Sequence, residues 1–332
     1  SAASDVYKRQ QKFDQINLSI NDISTYQTDK YWIAEGSKGL RSIQRKGSNS
    51  FEALNEPIIL DGPYSNSAFD IVCKNDKVYM IIGGKDLLNG KRFDKGGYIL
   101  TYDYDKWSFI DPKEAQKKLN LPRNPRDYTS IAVTTDDSND EIVYASSMGD
   151  GVIQYKNGTP VQSYNEKNAF KETAGGYGSG YCYIDGLAFD KNGNLWMTSS
   201  EVNHAVLVLD KAGAWHRLDI EQLRGVYTIN DILITSTNDK WIYVPRNTPK
   251  LVMIPNSESL DEVSSYEFTT LIDTDGKELT PSNYTCVAED KDGYIWVGTN
   301  RGAVYFTKPR ISSAEDLSLI HISEPTRHLR IS

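Results

Sequence analysis

Few residues in this chain have the type and spacing to do chemistry, and most of those fail on counting. Two histidines, His204 and His216, stand in the body of the chain, and His321 and His328 lie near its end. That is too few for a histidine-rich metal site. His216 falls in an alternating outer strand that leaves it half-exposed. His204 follows Asn203 at the mouth of a strand; it faces a ligand or, on the plainer reading, decorates a surface loop. The loops Asp190-Lys-Asn-Gly193 and Asp290-Lys-Asp-Gly293 offer oxygen ligands of the calcium-binding kind. An EF-hand loop needs Gly at its sixth position and Glu at its twelfth. Counted from Asp290, Gly293 is fourth and Arg301 twelfth, so a hairpin turn is the expectation at both loops. There is no Gly-x-Ser-x-Gly elbow. The glycine-rich stretch at 175–180 precedes a strand, whereas a phosphate-binding fingerprint must open a helix. Cys73, Cys182 and Cys286 are scattered, without Cys-x-x-Cys spacing. Each lies in or beside an apolar strand, which predicts buried free thiols, with one disulfide plus one free thiol as the alternative. No motif calls for a cofactor or a metal.

The elements around these residues are far more regular than the residues themselves. From Tyr183 to Leu218 the chain gives four short strands in a row, separated by turn-forming segments such as DKNGN and KAG. This is an antiparallel meander of the size of one β-propeller blade. The pattern recurs. Anchored on the aromatic of the second strand, the repeats fall at Trp32, Tyr79, Tyr144, Trp196, Trp241 and Trp296, spaced 47, 65, 52, 45 and 55 residues apart. The expected units cover residues 16–54, 68–110, 128–164, 183–218, 227–272 and 283–312, within a propeller of residues 11–316. The fold class is therefore all-β: six four-stranded blade units, expected to form an open arc of a larger, about seven-bladed ring.

Local detail supports this plan. Unit two carries a long polar insertion, GGKDLLNGKRFDKGG, between its second and third strands. Pro112 opens a short predicted helix over 112–120. Asn157-Gly158 predicts a type I′ hairpin in unit three. First strands carry small residues (Ser24, Ala132, Gly186, Ala188, Ala288), as convergence on a propeller axis demands. The anchoring aromatics are expected to fill the wedges between blades. Unit six shows three strands, and its fourth is missing or displaced.

Composition narrows the partners. The chain has 332 residues, a net charge of −8 and 39% apolar residues. The acidic balance argues against nucleic acid or anionic membrane as the main partner. No apolar run of about 18 residues could span a bilayer as a helix. Residues 1–10 and 317–332 match no blade pattern and resemble translated sequencing-adapter sequence. They are read as non-native tails on an internal fragment, so no signal peptide is expected within the chain.

The segments DKNGNLWMT (190–198) and EDKDGYIWVGTNRG (289–302) resemble the propeller repeats of bacterial two-component regulators. VYMIIGG with GGYILTYDYDKWSFI, IVYASSMGDGVIQYKNG, YCYIDGLAFDKNGNLWMTSS, WIYVPR and CVAEDKDGYIWVGTNRGAVYF together resemble the PorZ-like propeller proteins of type IX secretion systems, over roughly residues 16–310. The resemblance implies a non-enzymatic module at the bacterial outer-membrane surface or in the periplasm. The partners it implies are a sortase-like, PorU-like protease and anionic lipopolysaccharide. It carries over no functional residue. The alternatives are a ligand-sensing periplasmic ectodomain of a hybrid two-component system and, third, a propeller enzyme of the lactonase or streptogramin-lyase type.

One candidate site follows from the architecture. Loops between second and third strands leave a propeller on one face, which gathers Glu35, Asp150, Glu201, His204, Arg246 and Arg301 toward one rim. Arg246 and Arg301 could hold a carboxylate or phosphate. The plain alternative is a solvated rim.

Overall fold

The protein is described by a computed structural model covering residues 22–35, 39–47, 50–56, 58, 62–170, 181–261, 263–273, 276–306 and 319–322. The glycine-rich stretch at 175–180, the N-terminal tail and most of the C-terminal tail lie outside the described residues. The chain divides into two compact units, Ser1–Gly62 and Pro63–Ser332.

The first compact unit is one antiparallel meander of strands Asp22–Gln27, Lys30–Ala34, Leu40–Arg45 and Phe51–Ala53. Ile33 and Ile43 are its buried apolar residues among those described, and Asn55 ties the sheet edge by accepting from the Ser42 amide at 2.7 Å.

The second compact unit holds five further blades. Blade two is Ala68–Lys74, Lys77–Ile82, Ile99–Asp103 and Lys106–Ile110. Blade three is Tyr128–Thr135, Glu141–Gly149, Gly151–Lys156 and Thr159–Tyr164; blade four is Cys182–Phe189, Leu195–Ser199, Val206–Leu209 and Trp215–Leu218. Their sheets are continuous, because the long strand Glu141–Gly149 runs on to pair Met148 with Tyr183 and Gly149 with Cys182. Blade five is Ile232–Ile234, Lys240–Val244, Lys250–Ile254 and Tyr266–Phe268. Blade six is Tyr284–Glu289, Ile295–Thr299 and Gly302–Phe306, and its fourth strand is Leu319–Ile322. That strand comes from within the stretch read as foreign. An open strand edge offers main-chain donors and acceptors to any extended segment, whatever its side chains. The end of unit five divides: Tyr266–Phe268 stays in blade five, while Leu271–Asp273 pairs parallel to Leu319–Ile322.

The anchoring aromatics do fill wedges. Tyr79 packs with Tyr128, Ile131 and Val143 of blade three, and Tyr144 with Ile184, Leu187 and Met197 of blade four. Trp196 packs with Ile232, Ile242 and Val252 of blade five, and Trp241 with Tyr284, Ile295 and Val304 of blade six. Ile71 is 59% exposed, Cys73 and Cys286 are exposed, and Trp296 is half-buried. This corrects the expectation of three buried thiols. Only Cys182 is buried, and burial pushes its thiol up to about 12.

The acidic loops have a structural use. Asp190 Oδ1 accepts from the Asn192 and Asn194 amides, while Oδ2 accepts from the Trp196 indole N–H at 2.9 Å. Asp290 repeats this with Asp292, Tyr294 and Trp296. A third version has Asp210 holding the Ala214 amide and pairing with His216 Nε2 at 2.9 Å. The Asp–Gly–Trp signature is thus a side-chain-closed hairpin turn whose second oxygen serves the anchor of the next strand. The helix Pro112–Leu119 forms as expected, with Asp111 capping the Lys113 amide and Asn120 closing it in the left-handed region. Asn157 and Gly158 have φ of 47° and 74°, as a type I′ turn requires.

Candidate functional site

The insertion of blade two (residues 83–97), read from sequence as a long polar loop, positions a deeply buried charge. It starts with two glycines that nothing else could replace. A Cβ on Gly83 would stand 2.3 Å from the Tyr128 amide nitrogen, and one on Gly84 would stand 2.1 Å from the Phe69 ring. Passing through this gap, the chain turns Lys85 inward until its ammonium meets the Asp185 carboxylate of blade four and, at 2.7 Å, the Ile229 carbonyl leading into blade five. Both ionic side chains are almost wholly buried, at 2% and 0% exposure. Asp185 also accepts from Ser200 Oγ at 2.6 Å, and Ser200 Oγ in turn accepts the Ile229 amide. Burial raises the Asp185 carboxyl, and Lys85 pulls it part of the way back. Lys85 thereby joins blades two, four and five.

Beside this pair lies a chamber of about 110 Å³, walled by Phe69, Asp70, Leu87, Thr129, Asn230, Asp231 and Tyr243 together with Lys85 and Asp185. Two of its acids come from equivalent positions in the repeats. Asp70, Ser130 and Asp231 each stand two residues before the one that pairs with the anchoring aromatic, namely Val72, Ala132 and Leu233. These side chains clamp neighbouring blades: Asp70 Oδ2 accepts from the Ile131 amide at 3.1 Å and Ser130 Oγ from the Leu187 amide at 3.1 Å. At this register blade four has Gly186, because a Cβ there would stand 2.7 Å from the Ile232 amide nitrogen. Its acid, Asp185, is displaced by one position across a bulge between Ile184 and Gly186. Asp231 is reached by solvent through the open side of this chamber, yet it is surrounded at short range by the three first strands that meet here. That setting, with the nearby charge of Asp70, raises its carboxyl to about 7. Burial raises Asp70 as well. Of these four equivalent positions only Asp70 and Asp231 carry an acid, so the repeats gave no regular acidic signal for this site.

The six rim residues divide. Glu35 belongs to the first compact unit, where it is buried and accepts from Arg41 Nε at 2.7 Å. Asp150 is used within blade three, accepting from Arg123 Nε at 2.8 Å and from the Arg126 amide. Glu201 has φ 62° and lines a recess of about 270 Å³ with Lys91, Arg92, Tyr183 and Tyr227. Burial raises its carboxyl first, and the charge of Asp185 adds to this. Arg246 is exposed and lines an adjoining recess of about 360 Å³ with Arg224, Lys250, Tyr227 and Thr228. It lies close enough to Asp86 to help hold that carboxyl down, after the Leu88 and Asn89 amides. His204 is half-buried near Asp219. Arg301 lies exposed on the blade six turn, where its amide donates to Thr299 Oγ1, and it lines neither recess. The structure therefore brings Glu201 and Arg246 to adjacent recesses that share Tyr227. In the Arg246 recess the Thr228 hydroxyl is buried without a hydrogen-bond partner, while Arg224 is held by Asp219 and Lys250 by Glu267. Among the described residues no three His, Cys, Asp or Glu side chains are placed to share a metal ion.

A family model described as "Two component regulator propeller" matches residues 278–301. No curated protein gives a significant sequence match. Among solved structures, the chain is similar to PorZ of Porphyromonas gingivalis, described as an essential bacterial surface component of the type IX secretion system. The TM-score is 0.68 at 19% identity, over 87% of this chain and 38% of that one. The extracellular domain of a putative hybrid two-component system from B. thetaiotaomicron aligns with a TM-score of 0.48 at 16% identity, over 95% and 35% of the two chains. A putative 6-phosphogluconolactonase from Bacteroides uniformis gives 0.46 at 10%, over 89% and 81%. The chain thus spans well under half the length of the first two. In fold it is a β-propeller resembling that of PorZ, and it carries a two-component-regulator propeller repeat.

Proposed function

We propose that this propeller is a non-enzymatic binding module of a type IX secretion component at the bacterial cell surface, and that its loop face takes an anionic glycan. The observation that carries the reading is the Arg246 recess. There Arg246, exposed and outside the ion pairs of the described residues, lines the same recess as Thr228, whose hydroxyl is buried without a partner. A guanidinium and a hydroxyl donor suit a phosphate or carboxylate, and Tyr227, 51% exposed, offers a flat face for a sugar ring. The likeness to PorZ supports the surface setting, with anionic lipopolysaccharide and a sortase-like, PorU-like protease as partners. A unit charge pair at 4 Å is worth about 1 kcal/mol in water, so Arg246→Ala should weaken binding of an anionic lipopolysaccharide fragment by about fivefold. Arg301→Ala, outside the recess, should leave it unchanged. Equal affinity of wild type and Arg246→Ala in a titration would sink the proposal.

A second reading, a sensor ectodomain, is favoured by the family match at 278–301. A kinase encoded in the same reading frame would select it.

A further inference from the structure

The axial chamber has chemistry that the loop-face reading does not use. It carries three carboxylates, Asp70, Asp185 and Asp231, against the single ammonium of Lys85. Asp185 is already committed to that ammonium and to Ser200. Above about pH 7, where Asp231 is ionised, what still faces the space is acceptor. Asp231 presents its carboxyl on the chamber wall, with one oxygen also accepting its neighbour's amide, Ile232, at 2.9 Å.

Asn230 gives a second, independent sign. It is 2% exposed, yet its Oδ1 has no hydrogen-bond partner. Its Nδ2 faces the Leu87 carbonyl at 3.4 Å, and the Tyr243 hydroxyl lies beside the same side chain. A buried carbonyl oxygen without a donor is costly, so the site calls for one.

We infer that the chamber binds the head of a small primary ammonium ion. An ammonium supplies several N–H donors and one positive charge, which answers both the unmatched acceptor and the excess of carboxylates. The chamber already contains this mode of recognition, since the Lys85 ammonium sits between one carboxylate and one main-chain carbonyl. A volume of about 110 Å³ admits the head of an alkylammonium of a few carbons. Phe69 and Leu87 supply apolar wall for the alkyl part. A metal ion fits less well, because no three acidic side chains among the described residues are placed around a common position.

Calorimetric titration of the full chain with ethylammonium chloride tests this, with tetraethylammonium and potassium chloride at matched ionic strength. Ethylammonium binds, neither other cation competes, and Asp231→Asn weakens binding at least tenfold. Asp70→Asn, which keeps an acceptor oxygen for the Ile131 amide, gives a second reading of the same loss and serves if Asp231→Asn does not fold. Absence of ethylammonium binding overturns the inference. So does equal competition by potassium, which marks a metal-ion site, or unchanged affinity in the folded variants.

Discussion

Replacing Asp190 by alanine tests whether the Asp–Gly–Trp turn stabilises the propeller through the buried indole rather than through the turn itself. The two turn amides that Asp190 caps, Asn192 and Asn194, lie at or near the surface and can turn to water. Trp196 cannot, since it is 1% exposed and its Nε1 donates to Asp190 at 2.9 Å. Losing a hydrogen bond to a charged acceptor and stranding a buried donor together cost about 3 kcal/mol. A further loss comes from Lys240, 1% exposed and 4.4 Å from the Trp196 ring. Burial already lowers its ammonium, and Asp190 is the first charge opposing that. The assay is urea denaturation followed by tryptophan fluorescence, where a slope of about 3 kcal/mol/M places the Asp190→Ala midpoint about 1 M lower. In a Trp196→Phe background, which lacks the donor, Asp190→Ala should cost at least about 1.5 kcal/mol less. Asp290→Ala, whose Trp296 is half-buried, should shift the midpoint less than Asp190→Ala. Coupling below about 0.5 kcal/mol between Asp190 and Trp196 would refute the reasoning.

Two predictions concern the axis. Lys85→Met leaves Asp185 buried without its cation and should cost about 3–5 kcal/mol in the same assay, with Asp185→Asn added to Lys85→Met recovering much of it. The second is a pH dependence. Folded Asp231 keeps its proton up to about 7, whereas the unfolded chain loses it near 3.8. Its contribution is therefore fully present below about 3.8 and declines as pH rises to about 7. Asp231→Asn should narrow the difference in urea midpoint between pH 5 and pH 7.5, and an unchanged difference contradicts the assignment. Asp70 and Asp185, raised in the same direction, keep that difference from vanishing.

Much of the architecture was legible because it is local. Turn formers between alternating strands determine a meander, and an aromatic every 45 to 65 residues marks its repetition. Gly186 announced a place with no room for a side chain, and the neighbouring backbone at Asp231 and Ile232 is the reason. Asp190 and Asp290 were correctly read as turn residues, although their bonds to Trp196 and Trp296 become visible only once the hairpin closes. The thiols were misjudged because an apolar strand buries a residue only where its face is covered, and the faces that carry Cys73 and Cys286 are exposed. The axial chamber could not be read at all. Lys85 and Asp185 are 100 residues apart, and Lys85 lies in an insertion that belongs to no repeat. Periodicity identifies equivalent positions in each blade; which of them meet across the axis depends on how the blades are turned and where the insertion runs, and only the tertiary structure decides that.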